Sequence, residues 1–443
     1  MAYIYRTLAA NNEKKLTISV WVKIAKVQEQ GIVNNYYSGS YWGQLYFGSD
    51  GTLRFDDYRT SYVLKVRSTE TFKDVGSWYH IVANYDCSIG SPTAKLYVNG
   101  SEVKYSSQTI YSQNATTSWN TDYTFNVGRG TNLGGNDFDG VMADCYFIQG
   151  YKYDASTFGE TDATTGEWKP ITAPTINYGG TGGNSCHLKF ENSANMDLDS
   201  GSNNISFTTS GTLTQTKDNP SNNFATFNSL TSNNPTLSKG NLIATASGGY
   251  RNCLSTIAPT TGKYYAEFKL TTDSGYTNFG VANLSKGAFS TKYNTNSYIG
   301  EDTSGVAYQP GSSSLYYNGS SSGSYGGAAN GDVIGIAMDL DNGFIYWSKN
   351  GTFLNSGVPT SAGTGTGGYA ISNIANTTGT NNYAMGVSLA NTGGGRSISA
   401  NFGNGYFGTT AISSAGSNAS NVGLFEYDVP AGYTALSTSG LNK

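Results

Sequence analysis

The fold is decided by residues 331–351, which read GDVIGIAMDLDNGFIYWSKNG. Apolar side chains recur there at every second position, at Ile334, Ile336, Met338 and Leu340, with smaller or polar residues between them. Because successive side chains of a strand point to opposite faces, this alternation predicts a half-buried β-strand. Asp341-Asn342-Gly343 supplies residues that tolerate a positive φ, as a tight hairpin requires. We therefore expect Asn342 and Gly343 to form the turn, with residues 344–347 as the returning strand and Trp347 buried.

Composition extends this β prediction to the whole chain. The 443 residues exceed one ordinary domain, so two or three are expected. Charged residues make up 13%, about half the typical share. The 34 Tyr, 19 Phe and 6 Trp and the net charge of −4 are unlike a disordered chain. Its polarity comes from Gly, Ser, Thr and Asn, which suit turns and sheet surfaces, so we predict an all-β fold.

Several classes of partner and location are disfavoured by the same composition. Scattered Lys and Arg argue against a nucleic-acid partner, which needs a concentrated basic face. The sequence contains no run of about 18 apolar residues, so no membrane-spanning helix is predicted. The N-terminus lacks the pattern of a Sec signal peptide, so synthesis in a cytoplasm is expected. The widely spaced Cys87, Cys145, Cys186 and Cys253 are predicted to be free, buried thiols.

The first 170 residues contain many short strands punctuated by Gly and Asn. Asn99-Gly100 is a hairpin signal, and strands are predicted at 16–24, 43–47, 52–55, 78–85, 94–98, 123–127 and 141–148. Five passages in order resemble landmarks of laminin-G-like, concanavalin-type lectin domains: 19–23, 78–82, 95–100, 127–129 and 138–144. The resemblance implies a jelly roll over residues 1–170. The calcium ligands of that family are not identifiable in this chain, so the resemblance implies the fold and not the metal, and weak Ca²⁺ binding stays open.

The ordered residues of 331–351 resemble the signature of SPRY domains, antiparallel sandwiches that act as binding modules. Residues 398–403 match their closing strand, and Tyr264, Ala266, Phe268 and Leu270 predict one face of another strand. The resemblance implies a second sandwich over residues 230–433. We therefore expect two antiparallel β-sandwiches, a laminin-G-like jelly roll and then a SPRY-like sandwich. An ordered connector would span 171–229, with a strand near 187–190, and a tail would span 434–443.

Passages outside the two signatures resemble tailed-phage virion proteins, especially those of marine phages and cyanophages. They are residues 151–170, 186–191, 218–226 and 425–433. Together with the two domain signatures, the resemblance covers nearly the whole chain. It implies a protein of the virion, made in the host cytoplasm and present in multiple copies per particle.

The chain offers little for catalysis. Its two histidines, His80 and His187, fall in strand-like segments, where a hydrogen-bonded structural role is favoured. Carboxylates close in sequence could serve a glycosidase, but turn and surface roles are commoner: Asp56-Asp57, Asp137 with Asp139, Asp197 with Asp199, and Asp339 with Asp341. We predict a non-enzymatic protein without a catalytic site, cofactor or required metal.

Aromatic clusters are the candidate binding residues. In the first domain they surround a Ser/Gly turn and follow it: Tyr36, Tyr37, Tyr41, Trp42, Tyr58 and Tyr62. In the second domain they are Tyr308, Tyr316, Tyr317 and Tyr325, within or beside an expected Ser/Gly loop over 312–327. Tyr and Trp can stack on sugars or anchor protein interfaces, and sheet packing is the alternative role.

The sequence therefore predicts a virion structural or adhesion protein that binds host-surface glycan or another virion protein. It would be a fibre, a tail-associated adhesin or a head decoration. A purely structural assembly protein without a host ligand is the main alternative, and a glycan-cleaving depolymerase is a third.

Overall fold

The computed structural model describes residues 2–130, 136–230, 233, 235–272, 276–286, 297–377, 379–390 and 395–443. The chain divides into two compact units, Met1–Gln215 and Thr216–Lys443, called here the N-terminal and C-terminal units. The division falls inside the segment 171–229 that was expected to be a connector. Each half of that segment is instead part of one unit, because each contributes side chains to the core of that unit.

Sixteen strands build the described part of the N-terminal unit. In chain order they are β1 (Tyr3–Thr7), β2 (Lys15–Ile24), β3 (Gln30–Ser38), β4 (Tyr41–Phe47), β5 (Thr52–Arg59), β6 (Tyr62–Thr71), β7 (Tyr79–Asp86), β8 (Thr93–Val98), β9 (Ser101–Glu102), β10 (Tyr105–Thr109), β11 (Thr124–Val127), β12 (Gly140–Gln149), β13 (Gly159–Thr161), β14 (Trp168–Pro170), β15 (Cys186–Leu188) and β16 (Thr208–Ser210). The described part of the unit also contains two 3-10 turns, Ser118–Asn120 and Ala155–Thr157.

Two antiparallel sheets form the sandwich of the N-terminal unit. The eight-stranded sheet has the order β10-β6-β5-β4-β3-β11-β1-β16, and the six-stranded sheet has the order β15-β12-β2-β7-β8-β9. They pack face to face: the rings of Phe125 (β11) and Phe147 (β12) lie 4.5 Å apart, and those of Phe55 (β5) and Tyr85 (β7) 6.4 Å apart. The predicted strands are present with bounds within three residues except at the C-terminal end of β5, which is four residues longer.

A segment after β12 covers the outer face of the six-stranded sheet. Its aromatic side chains, among them Phe158 and Trp168, form a separate buried cluster with Val82 and Tyr146. β15 extends the edge of the same sheet by pairing with β12, so that Cys186 lies opposite Phe147. The predicted strand near 187–190 is therefore present as β15, which begins one residue earlier and belongs to the first sandwich.

Seventeen strands build the described part of the C-terminal unit. They are β17 (Thr236–Ser238), β18 (Ile243–Ala246), β19 (Arg251–Leu254), β20 (Lys263–Thr272), β21 (Asn278–Asn283), β22 (Gly305–Gln309), β23 (Ser314–Tyr317), β24 (Ser320–Ser322), β25 (Val333–Asp339), β26 (Phe344–Lys349), β27 (Thr352–Phe353), β28 (Tyr369–Ala370), β29 (Tyr383–Leu389), β30 (Arg396–Asn401), β31 (Tyr406–Phe407), β32 (Thr410–Ala411) and β33 (Thr434–Ala435). In the residues of this unit that the structure describes, the helical segments are 3-10 turns at Pro310–Ser312, Leu354–Ser356, Ala362–Thr364 and Ile371–Asn373, and the α-helix α1 (Thr438–Leu441).

The C-terminal unit is a second sandwich. One sheet follows the order β17-β18-β30-β20-β25-β26-β27, with β28 and β33 added to β26 and β20, and the other follows β19-β29-β21-β22-β23-β24. Ile334, Ile336 and Met338 are all buried in the core between them, as the alternation predicts. The expectation of a half-buried strand is wrong, because the other residues of β25 are buried as well, with Ala337 in a second apolar cluster. Trp347 is also buried, and its indole Nε1 donates a hydrogen bond of 2.8 Å to the carbonyl of Phe279 in the other sheet. An all-β chain of two antiparallel sandwiches is confirmed.

The hairpin between β25 and β26 differs from the predicted turn. Gly343 has a φ of +81°, but Asn342 is not in the left-handed region, so the expectation of a positive φ at both residues is wrong. Asp339 and Phe344 are the last pair of the ladder, which leaves a four-residue loop. The Asp339 carboxylate accepts hydrogen bonds from the backbone N–H groups of Asp341 and Asn342 and holds them in a right-handed turn. Asn350-Gly351 and Asn99-Gly100 do form two-residue turns with positive φ at both positions.

A buried carboxylate fastens the C-terminal segment to β20. Glu267 is fully buried and accepts hydrogen bonds of 2.8 Å from the backbone N–H groups of both Glu426 and Tyr427. Asn401 Nδ2 donates a third, of 3.2 Å, to the same side chain. Beyond this clamp, β33 pairs in parallel with β20, and Leu436 is buried in the core. Residues 434–443 were expected to be a tail, but residues 434–437 and 440 are buried, because β33 joins the sheet beside β20.

All four cysteines are buried and free of disulfide bonds, as predicted. In the described residues, no helix is long and apolar enough to cross a membrane.

Replacement of Trp347 by Ala should destabilise the C-terminal unit by about 3–5 kcal/mol, because a large cavity forms in its core. Trp347→Phe is the matched control, since it keeps most of the apolar volume and loses the hydrogen bond to Phe279, and it should cost clearly less. Hydrogen exchange measured by mass spectrometry in denaturant should show earlier opening of 333–349 and unchanged protection of 16–24. Equal loss of protection in both segments would contradict separate cores.

Glu267 should make the C-terminal unit less stable as the pH rises. Burial raises the pKa of Glu267 from 4.5 to about 7. Because the pKa is higher in the folded state, the contribution is complete below about pH 4.5 and is lost as the pH rises through 7. The loss should be roughly 3 kcal/mol between pH 4.5 and pH 8. Denaturant unfolding at several pH values should show this loss of unfolding free energy in the wild type and not in Glu267→Gln. The same pH dependence of the unfolding free energy in both proteins would refute the prediction.

Candidate functional site

Three neighbouring strands of the eight-stranded sheet carry the candidate site. Leu45, Phe55 and Leu64 of β4, β5 and β6 point into the core, so the alternate residues of these strands point away from it. Tyr62 has the same parity as Leu64, but a β-bulge at Val63 turns Tyr62 to the outward side, opposite Tyr58. These nine side chains, called here the outer face, are Trp42, Gln44 and Tyr46 on β4, Arg54, Asp56 and Tyr58 on β5, and Tyr62, Lys65 and Arg67 on β6. Cross-strand pairing places Trp42 opposite Tyr58, and Tyr58 opposite Tyr62.

The first row of the outer face is a connected aromatic cluster. The rings of Trp42 and Tyr58 are stacked, with centroids 5.6 Å apart and an interplanar angle of 17°. Tyr62 meets both edge-on, at 5.1 Å from Tyr58 and 6.1 Å from Trp42. Trp42 is 7% exposed and Tyr62 is 39% exposed. Trp42 therefore supports the cluster from below, and Tyr62 with half-buried Tyr58 presents the surface that a ligand would contact.

A buried carboxylate positions a cation beside this cluster. Asp56 is fully buried and forms an ion pair with Arg67, whose Nη2 lies 2.6 Å from Asp56 Oδ2. Arg67 Nε donates to the other carboxylate oxygen at 3.4 Å, and Tyr46 donates its hydroxyl to Oδ2 at 2.8 Å. The same Arg67 Nη2 lies 3.2 Å from the hydroxyl of Tyr62, and its guanidinium lies 5.4 Å from the ring centroid. Burial, and then the charge of Asp56, raises the pKa of Tyr46 well above its ordinary value, so it remains a donor.

Gln44 stands in the middle of the outer face, beside Asp56 in the ladder. It is fully buried, and among the described residues neither its Oε1 nor its Nε2 has a hydrogen-bond partner. A buried amide without partners costs about 1–3 kcal/mol per group. Because Gln44 is 0% exposed, it belongs to the support beneath the outer face and not to the surface that a ligand touches.

The other predicted aromatic residues of this unit do not all join the cluster. Tyr37, which is 68% exposed, stacks on Tyr123 at 5.1 Å and meets Tyr41 at 6.5 Å. Arg59 lies over the Tyr41 ring at 5.6 Å. These residues lie at the end of the sheet. Tyr36 is half-buried opposite Trp42 in the ladder. The structure therefore divides the six predicted residues into two groups, and most of them lie on strands rather than on a turn.

The four tyrosines predicted in the C-terminal unit do not converge. Tyr308 is fully buried in the core and donates its hydroxyl to the carbonyl of Gly326 at 2.6 Å. Tyr325 packs beside it at 6.3 Å. Tyr316 and Tyr317 are consecutive on β23 and therefore point to opposite faces. The expected loop over 312–327 is largely a hairpin of β23 and β24, closed by Asn318-Gly319. This set does not form one site.

The two histidines have structural roles. His80 is fully buried, with its ring stacked between Trp21 at 4.6 Å and Trp168 at 6.0 Å. Trp168 Nε1 donates to His80 Nδ1 at 3.0 Å, so Nε2 carries the proton and donates to Ser19 Oγ at 2.9 Å. Burial lowers the pKa of His80 to about 3, which keeps it neutral. His187 stacks on Tyr146 at 3.7 Å, with Nε2 3.1 Å from Asp144.

The carboxylate pairs also have local structural roles. Asp56 and Asp57 point to opposite faces of β5, since they are adjacent in a strand. Asp57 accepts hydrogen bonds from the Tyr111 hydroxyl and the Ser118 backbone inside the unit. Asp199 accepts from the backbone of His187, Gly201 and Ile205, and Asp339 supports the hairpin. Within the described ranges, no three His, Cys, Asp or Glu residues cluster as metal ligands would.

Sequence reasoning identified the aromatic half of the outer face and missed the polar half. Gln44, Asp56, Lys65 and Arg67 were not singled out as binding residues. The spacing of these residues in β4 to β6 was a usable signal. Gln44 and Asp56 each lie two positions from a predicted aromatic residue, Lys65 lies three positions from Tyr62, and Arg67 lies two positions from Lys65. The cross-strand register that brings them together is absent from the sequence alone.

Comparison with protein-family models agrees with the architecture of the N-terminal unit. A laminin G family model described as "Concanavalin A-like lectin/glucanases superfamily" matches residues 2–150, which include the whole outer face. This match confirms the predicted laminin-G-like, concanavalin-type domain. No curated protein sequence matches the chain.

Solved structures to which the chain is similar include SPRY domains. The SPRY domain of human HERC1 has 19% identity and a TM-score of 0.27, over 36% of this chain and 87% of that chain. The TRIM65 PSpry domain has 15% identity and a TM-score of 0.28, over 40% of this chain and 91% of that chain. A native heptameric SAP-like pentraxin from Limulus polyphemus has 19% identity and a TM-score of 0.25, over 33% and 69% of the respective chains.

Proposed function

We propose that this protein is a non-enzymatic adhesion protein of a tailed-phage virion and that its N-terminal unit binds host-surface glycan through the outer face. The observation that carries the proposal is the aromatic row, in which Tyr62 and Tyr58 present ring surface beside buried polar groups. Ring faces stack on the C–H surface of sugars, and neighbouring polar groups then orient the hydroxyls. The match of residues 2–150 to a lectin and glucanase superfamily supports the same role.

The arrangement supports binding rather than cleavage. Glycoside hydrolysis uses two carboxyl groups that flank one bond, about 5–10 Å apart. Asp56 is the single carboxylate on the outer face as defined above, and it is fully occupied by Arg67 and Tyr46.

The virion setting is supported by the sequence passages at 151–170, 186–191, 218–226 and 425–433, which resemble those of tailed-phage virion proteins. In such a particle the chain would be present in many copies and would contact other virion proteins, as part of a fibre, a tail-associated adhesin or a head decoration. Shallow sites of modest affinity become strong when many copies bind together. A purely structural virion protein is the alternative, and a particle that contains the chain without any glycan binding would favour it.

Replacement of Tyr62 by Ala should weaken glycan binding at least about ten-fold, because it removes the exposed ring of the aromatic row. Tyr37→Ala is the matched control: it removes an even more exposed tyrosine of the same sheet that lies outside the row. Both variants should keep the wild-type melting temperature, since neither side chain is in the core. Binding is measured on an array of bacterial surface polysaccharides and then by titration calorimetry.

Three results would count against the proposal. A larger loss in Tyr37→Ala than in Tyr62→Ala would move the site to the end of the sheet. Absence of binding to every polysaccharide, together with mass-spectrometric detection of the chain in purified particles, would favour the structural role. Shortening of a bound polysaccharide would show an enzyme.

A further inference from the structure

We infer that the glycan recognised by the outer face is acidic, with the negative charge of the sugar bound by Lys65. This inference rests on the proposed function and specifies its ligand. It follows from the distribution of charge on the outer face, which is independent of the aromatic contacts that suggested a glycan.

Three cations and one carboxylate lie on the outer face, although the whole chain has a net charge of −4. Arg67 is paired with Asp56 at 2.6 Å, and Arg54 is paired with Asp50, from the β4–β5 turn, at 3.3 Å. Lys65 has no carboxylate partner in the part of the chain that the structure describes. Its Nζ lies 5.5 Å from the centroid of the Tyr62 ring. The unpaired charge is therefore next to the exposed ring of the candidate site.

The position of Lys65 suits a sugar acid in particular. A pyranose that stacks on Tyr62 places its exocyclic substituents a few ångströms beyond the ring edge, within reach of the flexible Lys65 side chain. Arg67 adds no net charge, because its bidentate pairing with Asp56 balances it and keeps it fixed beneath Tyr62. Carboxylate or sulfate on the glycan supplies the counter-charge that the face lacks.

The test uses matched pairs of oligosaccharides that differ in charge alone. Examples are oligogalacturonates with their methyl esters, sialyllactose with lactose, and sulfated with desulfated glycosaminoglycan fragments. The full-length protein should bind the acidic member of at least one pair about ten-fold more tightly at low salt. That preference should shrink as the ionic strength rises, since exposed charges are screened.

Two charge-matched variants locate the interaction. Lys65→Gln should abolish the preference, so that the acidic and neutral members of a pair bind with nearly equal dissociation constants. Lys95→Gln removes the same charge from β8 in the other sheet, where Lys95 pairs with Glu102, and should leave the preference unchanged.

The remaining outcomes separate this inference from the proposed function. Equal binding of acidic and neutral members, abolished by Tyr62→Ala, overturns the acidic ligand and leaves glycan binding intact. An acidic preference that survives in Lys65→Gln overturns the assignment to Lys65. Failure of every pair to bind contradicts the proposed function and this inference with it.

Discussion

Packing of Leu45, Phe55 and Leu64 into the core of the N-terminal unit determines everything on the opposite side of the same three strands. Each strand has a side-chain period of two, so commitment of one face to the core orients the alternate residues outward together. The bulge at Val63 then turns Tyr62 to the same outward side. A slip of one residue in any of the three strands would exchange Tyr58 for Asp57 or Gln44 for Leu45. Burial of these large apolar side chains is worth about 1.5–3 kcal/mol each, which is why the core, rather than the polar contacts, sets the register.

Asp56 shows how that register is then used. A buried carboxylate is costly unless it is paired, and a buried ion pair is weak support for stability. Asp56 takes a fork of two hydrogen bonds from Arg67 and a third from Tyr46, which fixes the guanidinium beneath Tyr62. In the C-terminal unit Glu267 has a different role with similar physics, since its donors are backbone N–H groups and it holds the closing segment in place. Asp56 thus positions a side chain of the candidate binding surface, whereas Glu267 attaches the C-terminal segment to the sheet.

The sequence predicted most of the fold, because alternation and Asn-Gly turns are local signals. The strand at 334–340 and the burial of Trp347 follow directly from period two. The turn at Asn342 was mispredicted because Asp339, three residues earlier, bonds to the backbone and favours a right-handed loop. Residues 434–443 were mispredicted because their burial depends on pairing with β20, which is distant in sequence. The candidate site was half predicted: aromatic side chains are conspicuous in a sequence, whereas Gln44 and Lys65 gain meaning only from cross-strand neighbours.

The central claim is that ligand binds at the aromatic row of the outer face, and the indole N–H signals of the six tryptophans test it most directly. Trp42 lies in the row, while Trp119, Trp168 and Trp347 are packed elsewhere in their units. Titration of the ¹⁵N-labelled protein with a bound glycan should shift the Trp42 indole resonance in proportion to occupancy and leave those three in place. A saturating shift at Trp168 or Trp347 with Trp42 unchanged would contradict the account, because the ligand would then lie on a different surface.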